Sequence, residues 1–224
     1  MERNIDMQEV SDGKRYGLND MVKAGCDDCK GCSACCHGMG NSIVLDPYDV
    51  YRLTTGLNCK FEELLIDKVD LNVVESIILP NLKMSGEGES CAFLNTEGRC
   101  SIHSIRPGIC RIFPLGRIYE NNSFEYFLQV HECKKPNRTK VKVKKWIDTP
   151  EPAKNAEFIS QWHFFLKKVS NMLPALPEEQ VKQINMYILN AFFVTLYETR
   201  RDFYEQFEER LKVAEIFLCE VKDT

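Results

Sequence analysis

Five cysteines stand within thirteen residues near the start of the chain, in the stretch CDDCKGCSACCHG at residues 26–38. The chain has 11 cysteines among 224 residues, and ten of them fall between Cys26 and Cys133. Thiols grouped in this way form a disulfide framework, a redox pair or the ligand set of a metal. The fold and the function therefore depend on which of these three uses applies.

The rest of the chain argues against disulfides. Its start is polar and charged, without the apolar run that a secretory signal requires. No stretch approaches the roughly 18 consecutive apolar residues of a transmembrane helix. We therefore predict a cytoplasmic protein with no membrane segment, in a compartment where disulfides rarely persist. An odd number of cysteines also leaves at least one unpaired, so metal ligation is the favoured use.

The charge of the chain argues against a general nucleic-acid binder. The net charge is -4, and 28% of the residues are charged, which is ordinary for a globular protein. The one basic cluster is KKPNRTKVKVKK at residues 134–145. Its alternating end predicts a solvated connection or an edge strand protected by lysines.

The distribution of cysteine predicts three regions. They are a polar leader over residues 1–20, a cysteine-cluster domain over 21–150 and a helical lobe over 151–224. Apolar residues at three- or four-residue steps indicate about three amphipathic helices in the lobe. The segment LPALPEE separates the first of these helices from the second. The predicted fold class is therefore α+β: an irregular cysteine-rich domain with short helices and a β-hairpin, followed by the helical lobe.

Local signals place three elements between the cysteine segments. In LDPYDVYRLTTG, Asp46 suits the N-cap of a helix, Pro47 its first turn and Gly56 a position beyond its last turn. KFEELLIDKV predicts a second short helix. In LGRIYENNSFEYFLQV, β-rich runs flank two asparagines, which predicts a hairpin. The cysteine segments themselves are rich in Gly, Ser and Pro and are predicted to be loops.

The first cysteine run can be divided in two ways. One division is Cys26-x2-Cys29-x2-Cys32-x3-Cys36, and the other is Cys29-x2-Cys32-x2-Cys35-Cys36. Two thiolates separated by two residues can meet one metal because a short turn directs both sulfurs inward. Cys35 and Cys36 are adjacent, and successive side chains tend to point in different directions. Either each of them binds a different metal centre, or only one of them is a ligand.

The second half of the array is CAFLNTEGRCSIHSIRPGICRIFP at residues 91–114, followed later by QVHECKK. Together with CKGCSACC, this segment resembles the YkgJ-type, or CxxCxxCC, cysteine-cluster family, described as a zinc- or iron-chelating or iron–sulfur domain. The resemblance covers roughly residues 26–135. The metal ligands that it implies are Cys29, Cys32, Cys35, Cys36, Cys91, Cys100, Cys110 and Cys133.

Three further residues are candidates for the same site. Cys26 extends the usual run, so the choice among the first five cysteines stays open. His37 directly follows Cys36 and His103 lies close to Cys100, so either could replace a thiolate or support one from outside. Arg106 and Arg111 flank the turn PGIC, where their charge could offset that of the thiolates or pair with a carboxylate. Cys59 and Cys219 are predicted to be ordinary thiols.

Sulfur-rich ligation suits zinc, Cu(I) or iron–sulfur clusters. The resemblance favours an iron–sulfur cluster of the [4Fe–4S] type, with zinc as the alternative. No catalytic motif is recognisable, and whether the chain is an enzyme stays open. Larger proteins with a similar cluster, such as flagellin lysine methylases, modify protein lysines. The resemblance thus implies a role in redox chemistry or in protein or peptide modification, with a redox partner or a protein substrate. The alternative is a structural zinc module whose helical lobe binds another protein.

Overall fold

Short elements make up the first two thirds of the fold, and long helices make up the last third. The computed structural model describes residues 6–222. Its helices are α1 (Met7–Val10), α2 (Pro47–Leu57), α3 (Phe61–Asp67), α4 (Gly108–Ile112), α5 (Val143–Ile147), α6 (Pro152–Met172), α7 (Glu178–Leu189) and α8 (Phe203–Lys222). Its strands are β1 (Met21–Gly25), β2 (Val69–Val74), β3 (Ile77–Leu82), β4 (Met84–Ser85), β5 (Ser90–Cys91), β6 (Leu115–Glu120), β7 (Ser123–Leu128) and β8 (Thr139–Lys142).

The strands form four separate antiparallel pairs within this part of the chain: β1 with β8, β2 with β3, β4 with β5, and β6 with β7. Three pairs join neighbours in sequence, whereas β1 and β8 enclose the whole cysteine array between them. The predicted α+β class is confirmed. None of the helices in residues 6–222 combines the length and the apolar character needed to cross a bilayer.

Helix α2 begins as predicted and ends later. Asp46 is the N-cap, and its side chain accepts the N–H of Asp49 at 2.8 Å. Gly56, however, lies inside the helix, and Asn58 supplies the left-handed residue that ends it, at φ 51°. A Cβ on Gly56 would lie only 2.6 Å from Ile105 Cδ1. The glycine is therefore explained by the close approach of the segment 103–105 and does not stop the helix.

Of the two long hairpins, only the second was predicted. Strands β6 and β7 pair from Leu115 to Glu120, and both turn residues, Asn121 and Asn122, have positive φ (52° and 58°). The hairpin β2–β3 was missed. Its turn is formed by Glu75 and Ser76, also at positive φ, a conformation that glycine or asparagine adopts more readily. The second predicted helix is α3, and its predicted end at Val69 belongs to β2.

The three predicted helices of the tail are α6, α7 and α8. LPALPEE separates the first two, but Pro177 is the N-cap of α7, one position before the predicted one. The strand predicted in the basic connection is present as β8. It is shorter than the alternating pattern indicated, because the helix α5 begins at Val143. Residues 10–16 of the predicted leader lie beside β7, with paired backbone hydrogen bonds between Tyr16 and Tyr126; residues 1–5 lie outside the described part.

Two apolar cores organise the molecule. The main core combines α2, α3 and the β2–β3 hairpin with α6, α7 and α8, and its largest buried side chains include Phe61, Phe158 and Phe207. The small core joins β1, the β6–β7 hairpin and α5 through residues such as Val22, Leu115 and Val143. The predicted division at residue 150 stays a prediction; the main core takes side chains from both sides of it.

Asn185 joins the helical part to the β2–β3 hairpin, and its replacement should be costly. The side chain is 4% exposed. Its Oδ1 accepts the N–H of Ile78 at 2.6 Å, and its Nδ2 donates to the carbonyl of Ser76 at 3.2 Å. In Asn185→Ala both backbone groups lose their partner, which we expect to lower the free energy of unfolding by about 1–3 kcal/mol. Urea unfolding measures it, and Asn171→Ala, at an exposed position of α6, should change stability by less than about 0.5 kcal/mol. Equal stability of the two variants would contradict the assignment.

Candidate metal centre

The first cysteine segment is built from tight turns that follow β1. Short 3₁₀ turns cover Asp27–Cys29 and Ala34–Cys36. Cys29 has a positive φ of 58°, and the N–H of Cys32 donates to its carbonyl at 2.9 Å. This path folds the segment back on itself, so that the Sγ atoms of Cys26 and Cys29 lie 3.6 Å apart. These short turns agree with the prediction that the segment is a loop.

The second cysteine segment is also held by local hydrogen bonds. Cys91 ends β5, and Cys100 forms an antiparallel bridge with Leu94. Between them Asn95 closes a turn, because its side chain accepts the N–H of Arg99 at 2.8 Å. Cys110 lies in α4, whose first N–H, from Gly108, donates to Asp49 at 2.7 Å. The Asp49 carboxylate on α2 thereby holds the start of α4, the helix that carries Cys110.

Backbone contacts bring the two segments together. His37 forms an antiparallel bridge with Ser90, and the N–H of Gly38 donates to the Glu89 carbonyl at 3.0 Å. On the other side of the array, Arg99 Nη1 donates to the Cys29 carbonyl at 2.8 Å. The turns that carry the cysteines are therefore tied at two places.

Five cysteines form one electrostatic group: Cys35, Cys36, Cys91, Cys100 and Cys110. A side-chain hydrogen bond from Cys36 lowers the pKa of Cys35 to about 7. The same bond, together with burial and the nearby Cys100 and Cys91, raises the pKa of Cys36. We call these five residues the inner cluster.

The other three members of the inner cluster are held as neutral thiols. Burial raises the pKa of Cys91 and of Cys100, and the nearby Cys35 raises the pKa of both further. Burial raises the pKa of Cys110 well above its usual value, and the neighbouring Asp49 adds to the shift. Metal binding at these thiols would therefore have to displace protons.

Among the remaining implied ligands, Cys29 lies within electrostatic reach of the inner cluster. Burial and the neighbouring Cys26 raise the pKa of Cys29 to about 12, and Cys35 contributes to this shift. Within residues 6–222, no side-chain hydrogen bond joins Cys32 or Cys133 to another cysteine. Lys135 Nζ donates to the Lys30 carbonyl at 2.7 Å, which places the chain around Cys133 beside the first segment.

The two candidate histidines have other partners. The Nδ1 of His37 hydrogen-bonds the hydroxyl of Ser90 at 3.0 Å. The ring of His103 contacts the guanidinium of Arg106, whose Nη1 lies 2.8 Å from Nδ1. Both contacts suit residues that support the site from outside its ligand set.

The two arginines of the second segment serve different purposes. Arg106 lies near the thiols, and its charge favours the thiolate forms of Cys29, Cys35 and Cys100. Arg111 is 3% exposed and donates to the backbone carbonyls of Arg106, Asp148 and Ser104. The first arginine can therefore compensate negative charge, whereas the second holds the turn together.

The donors of the inner cluster fit a soft metal. They are all sulfur, and Arg106 supplies compensating charge, which suits zinc or an iron–sulfur cluster. In the described part of the chain, no three Cys, His, Asp or Glu side chains already have the geometry of a metal site. Bringing the ligands to bonding distance would thus require adjustment of the cysteine turns.

Sequence reasoning missed two residues that position the site. Asp49 supports the turn before Cys110, and Arg99 ties the second segment to Cys29. The capping pattern of α2 predicted Asp46 as the N-cap, and Asp49 at its N3 position was a visible part of that pattern. Nothing in the sequence around Arg99 indicated its partner, because the hydrogen bond spans 70 residues of chain.

Comparison with known proteins agrees with the motif analysis. The family model CxxCxxCC, described as "Putative zinc- or iron-chelating domain", matches residues 28–142. The matched range is just over half of the 224 residues and contains all eight implied ligands. Cys26 lies outside it. No curated protein and no solved structure matches the chain.

Proposed function

The chain belongs to the CxxCxxCC family, and on that premise we propose that its inner cluster binds an iron–sulfur cluster of the [4Fe–4S] type. The observation that carries the proposal is that five thiols from two distant segments lie close enough to Cys35 to share its electrostatic influence, and that four of them, Cys36, Cys91, Cys100 and Cys110, also lie at the main core. Four thiolates are the usual ligands of such a cluster, and five sulfurs supply them with one to spare. When bound through four thiolates, the cluster would supply one-electron chemistry; bound through three, it would also offer an open iron site.

The protein's own residues would set the electrostatics of that site. Arg106 would offset the negative charge that thiolates leave on a bound cluster, since it already favours the charged forms of Cys35 and Cys100. Burial around Cys110 and Cys91 would limit access of water. Both effects tune the reduction potential of iron–sulfur centres.

We further propose that the site serves electron transfer or the modification of a protein or peptide, in the reducing cytoplasm where free thiols persist. A redox partner or a protein substrate would then approach the cysteine turns. Cys29, Cys32 and Cys133, together with Cys26, would be the ligands of a second centre or the thiols nearest to that partner.

Metal and sulfide analysis tests the proposal. After anaerobic purification, we expect about four irons per chain with matching acid-labile sulfide and visible absorption from thiolate-to-iron charge transfer. Zinc without sulfide and without colour would replace the iron–sulfur proposal by the structural zinc module. A folded protein without either metal, in reducing buffer supplied with both, would contradict metal binding altogether.

A further inference from the structure

Cys26 and Cys29 form a close pair of thiols directly after β1. Both are reduced, and their Sγ atoms lie 3.6 Å apart. The sulfurs of a disulfide lie about 2 Å apart, so small rotations of the two side chains would bring these sulfurs to bonding distance. The two thiols are therefore placed to react with each other.

The backbone of the turn holds the pair together. Asp27 and Cys29 both have positive φ, 54° and 58°, which residues other than glycine seldom adopt. The N–H of Lys30 donates to the Asp27 carbonyl at 2.9 Å, and Arg99 Nη1 donates to the Cys29 carbonyl at 2.8 Å. These contacts turn Cys29 back toward Cys26, and none of them depends on a bound metal.

The two cysteines differ in exposure and in their relation to the family pattern. Cys26 is 8% exposed, whereas Cys29 is only half-buried. The family match begins at residue 28, so it includes Cys29 and leaves Cys26 outside. The chain thus places an additional buried thiol against a more exposed one that the family implies as a ligand. Disulfides in reducing compartments are usually transient and serve catalysis or redox sensing.

We propose that Cys26 and Cys29 are a reversible redox pair, which a low-molecular-weight disulfide such as glutathione disulfide oxidises to an intramolecular disulfide. The more exposed Cys29 loses its proton, attacks one glutathione sulfur and releases the other as a thiol. Cys26 then loses its proton, attacks the Cys29 sulfur and releases the second glutathione thiol. Two electrons and two protons pass from the pair to the oxidant, and one S–S bond replaces another.

The oxidation would act as a switch beside the metal site. It rests on the proposed function only in that Cys29 is a ligand of a second centre, which it could not be while bound to Cys26. Neither cysteine belongs to the inner cluster, which would keep all five of its thiols. Oxidation would thus release the second centre selectively.

Peptide mass spectrometry can test the pair on the full-length, metal-loaded protein. Trypsin cleaves after Lys23 and Lys30 and releases AGCDDCK, a peptide whose only cysteines are Cys26 and Cys29. After treatment with glutathione disulfide, acid quenching and alkylation, we expect this peptide to be lighter by two hydrogens and to carry no alkyl group. Cys59, alone in the peptide LTTGLNCK, is the internal control. Its oxidation should be at least about tenfold less extensive, because proximity favours the attack within the pair.

Cys32→Ser is the matched variant, because Cys32 follows Cys29 at the same spacing by which Cys29 follows Cys26. We expect this variant to form the disulfide in AGCDDCK to the same extent as the parent protein. Full alkylation of that peptide in the oxidised parent protein, a bond from Cys29 to Cys32, or loss of the disulfide in folded Cys32→Ser would overturn the proposal. Metal counted in the same samples separates the two proposals: a disulfide in a protein that binds neither iron nor zinc would contradict only the proposed function.

Discussion

Replacing Cys110 by serine is expected to weaken metal binding at least about 100-fold, because loss of a direct ligand should exceed the 10–100-fold effect of losing an outer partner. A serine hydroxyl stays protonated near neutral pH and is a harder donor than a thiolate. Cys110 is a sharp test because it belongs to the inner cluster but comes from the second segment. Metal per chain, measured after gel filtration, gives the result.

Cys59→Ser is the matched control for this experiment. Cys59 is half-buried and packs at the main core, and its pKa is raised by burial and by Glu63 without any contribution from another cysteine. We expect this variant to keep the metal content of the parent protein. Circular dichroism shows whether Cys110→Ser keeps its helices, and Cys100→Ser repeats the test at a second position of the same segment. Full metal content in both folded inner-cluster variants would contradict the expected loss and show that neither cysteine is required for metal binding.

Phe207→Ala should cause the largest loss of stability in the helical part, about 3–5 kcal/mol in the free energy of unfolding. The ring is fully buried in the main core. It meets Phe158 edge-on, with ring centroids 4.6 Å apart, and also contacts Trp162 and Phe192. Removing the ring would leave a cavity that these aromatic neighbours, themselves fixed by packing, can fill only in part.

Urea unfolding followed by the fluorescence of Trp162 measures this loss. Ile216→Ala on the same helix is the control, because Ile216 is 60% exposed. We expect it to change stability by less than about 0.5 kcal/mol. A Phe207→Ala variant as stable as the control would mean that α8 does not pack on the core as described.

The sequence predicted the elements whose signals are local. The N-cap at Asp46, the asparagine turn at Asn121 and the periodic helices of the tail all depend on residues near one another in the chain. The β2–β3 hairpin was missed because Glu75 and Ser76 are not residues that indicate a tight turn. Gly56 was misinterpreted because the need for a glycine there arises from the close approach of Ile105, which lies in a distant segment of the chain.

The sequence predicted which cysteines belong to the candidate site, but not which of them lie close together. The motifs named the cysteines, but spacing alone could not say which of them meet. That depends on long-range contacts such as the His37–Ser90 bridge and the hydrogen bond from Arg99 to Cys29. The separate roles of Arg106 and Arg111 likewise depend on partners that the sequence does not reveal.

Both cysteine segments run from one core to the other. The first leaves the small core at Ala24 and enters the main core at Ile43, and the second leaves the main core at Ile102 and reaches the small core at Ile112. A metal held between these segments would act as a removable cross-link between the two cores. Because it would bind only the folded arrangement of both segments, its occupancy would raise the stability of the two cores together.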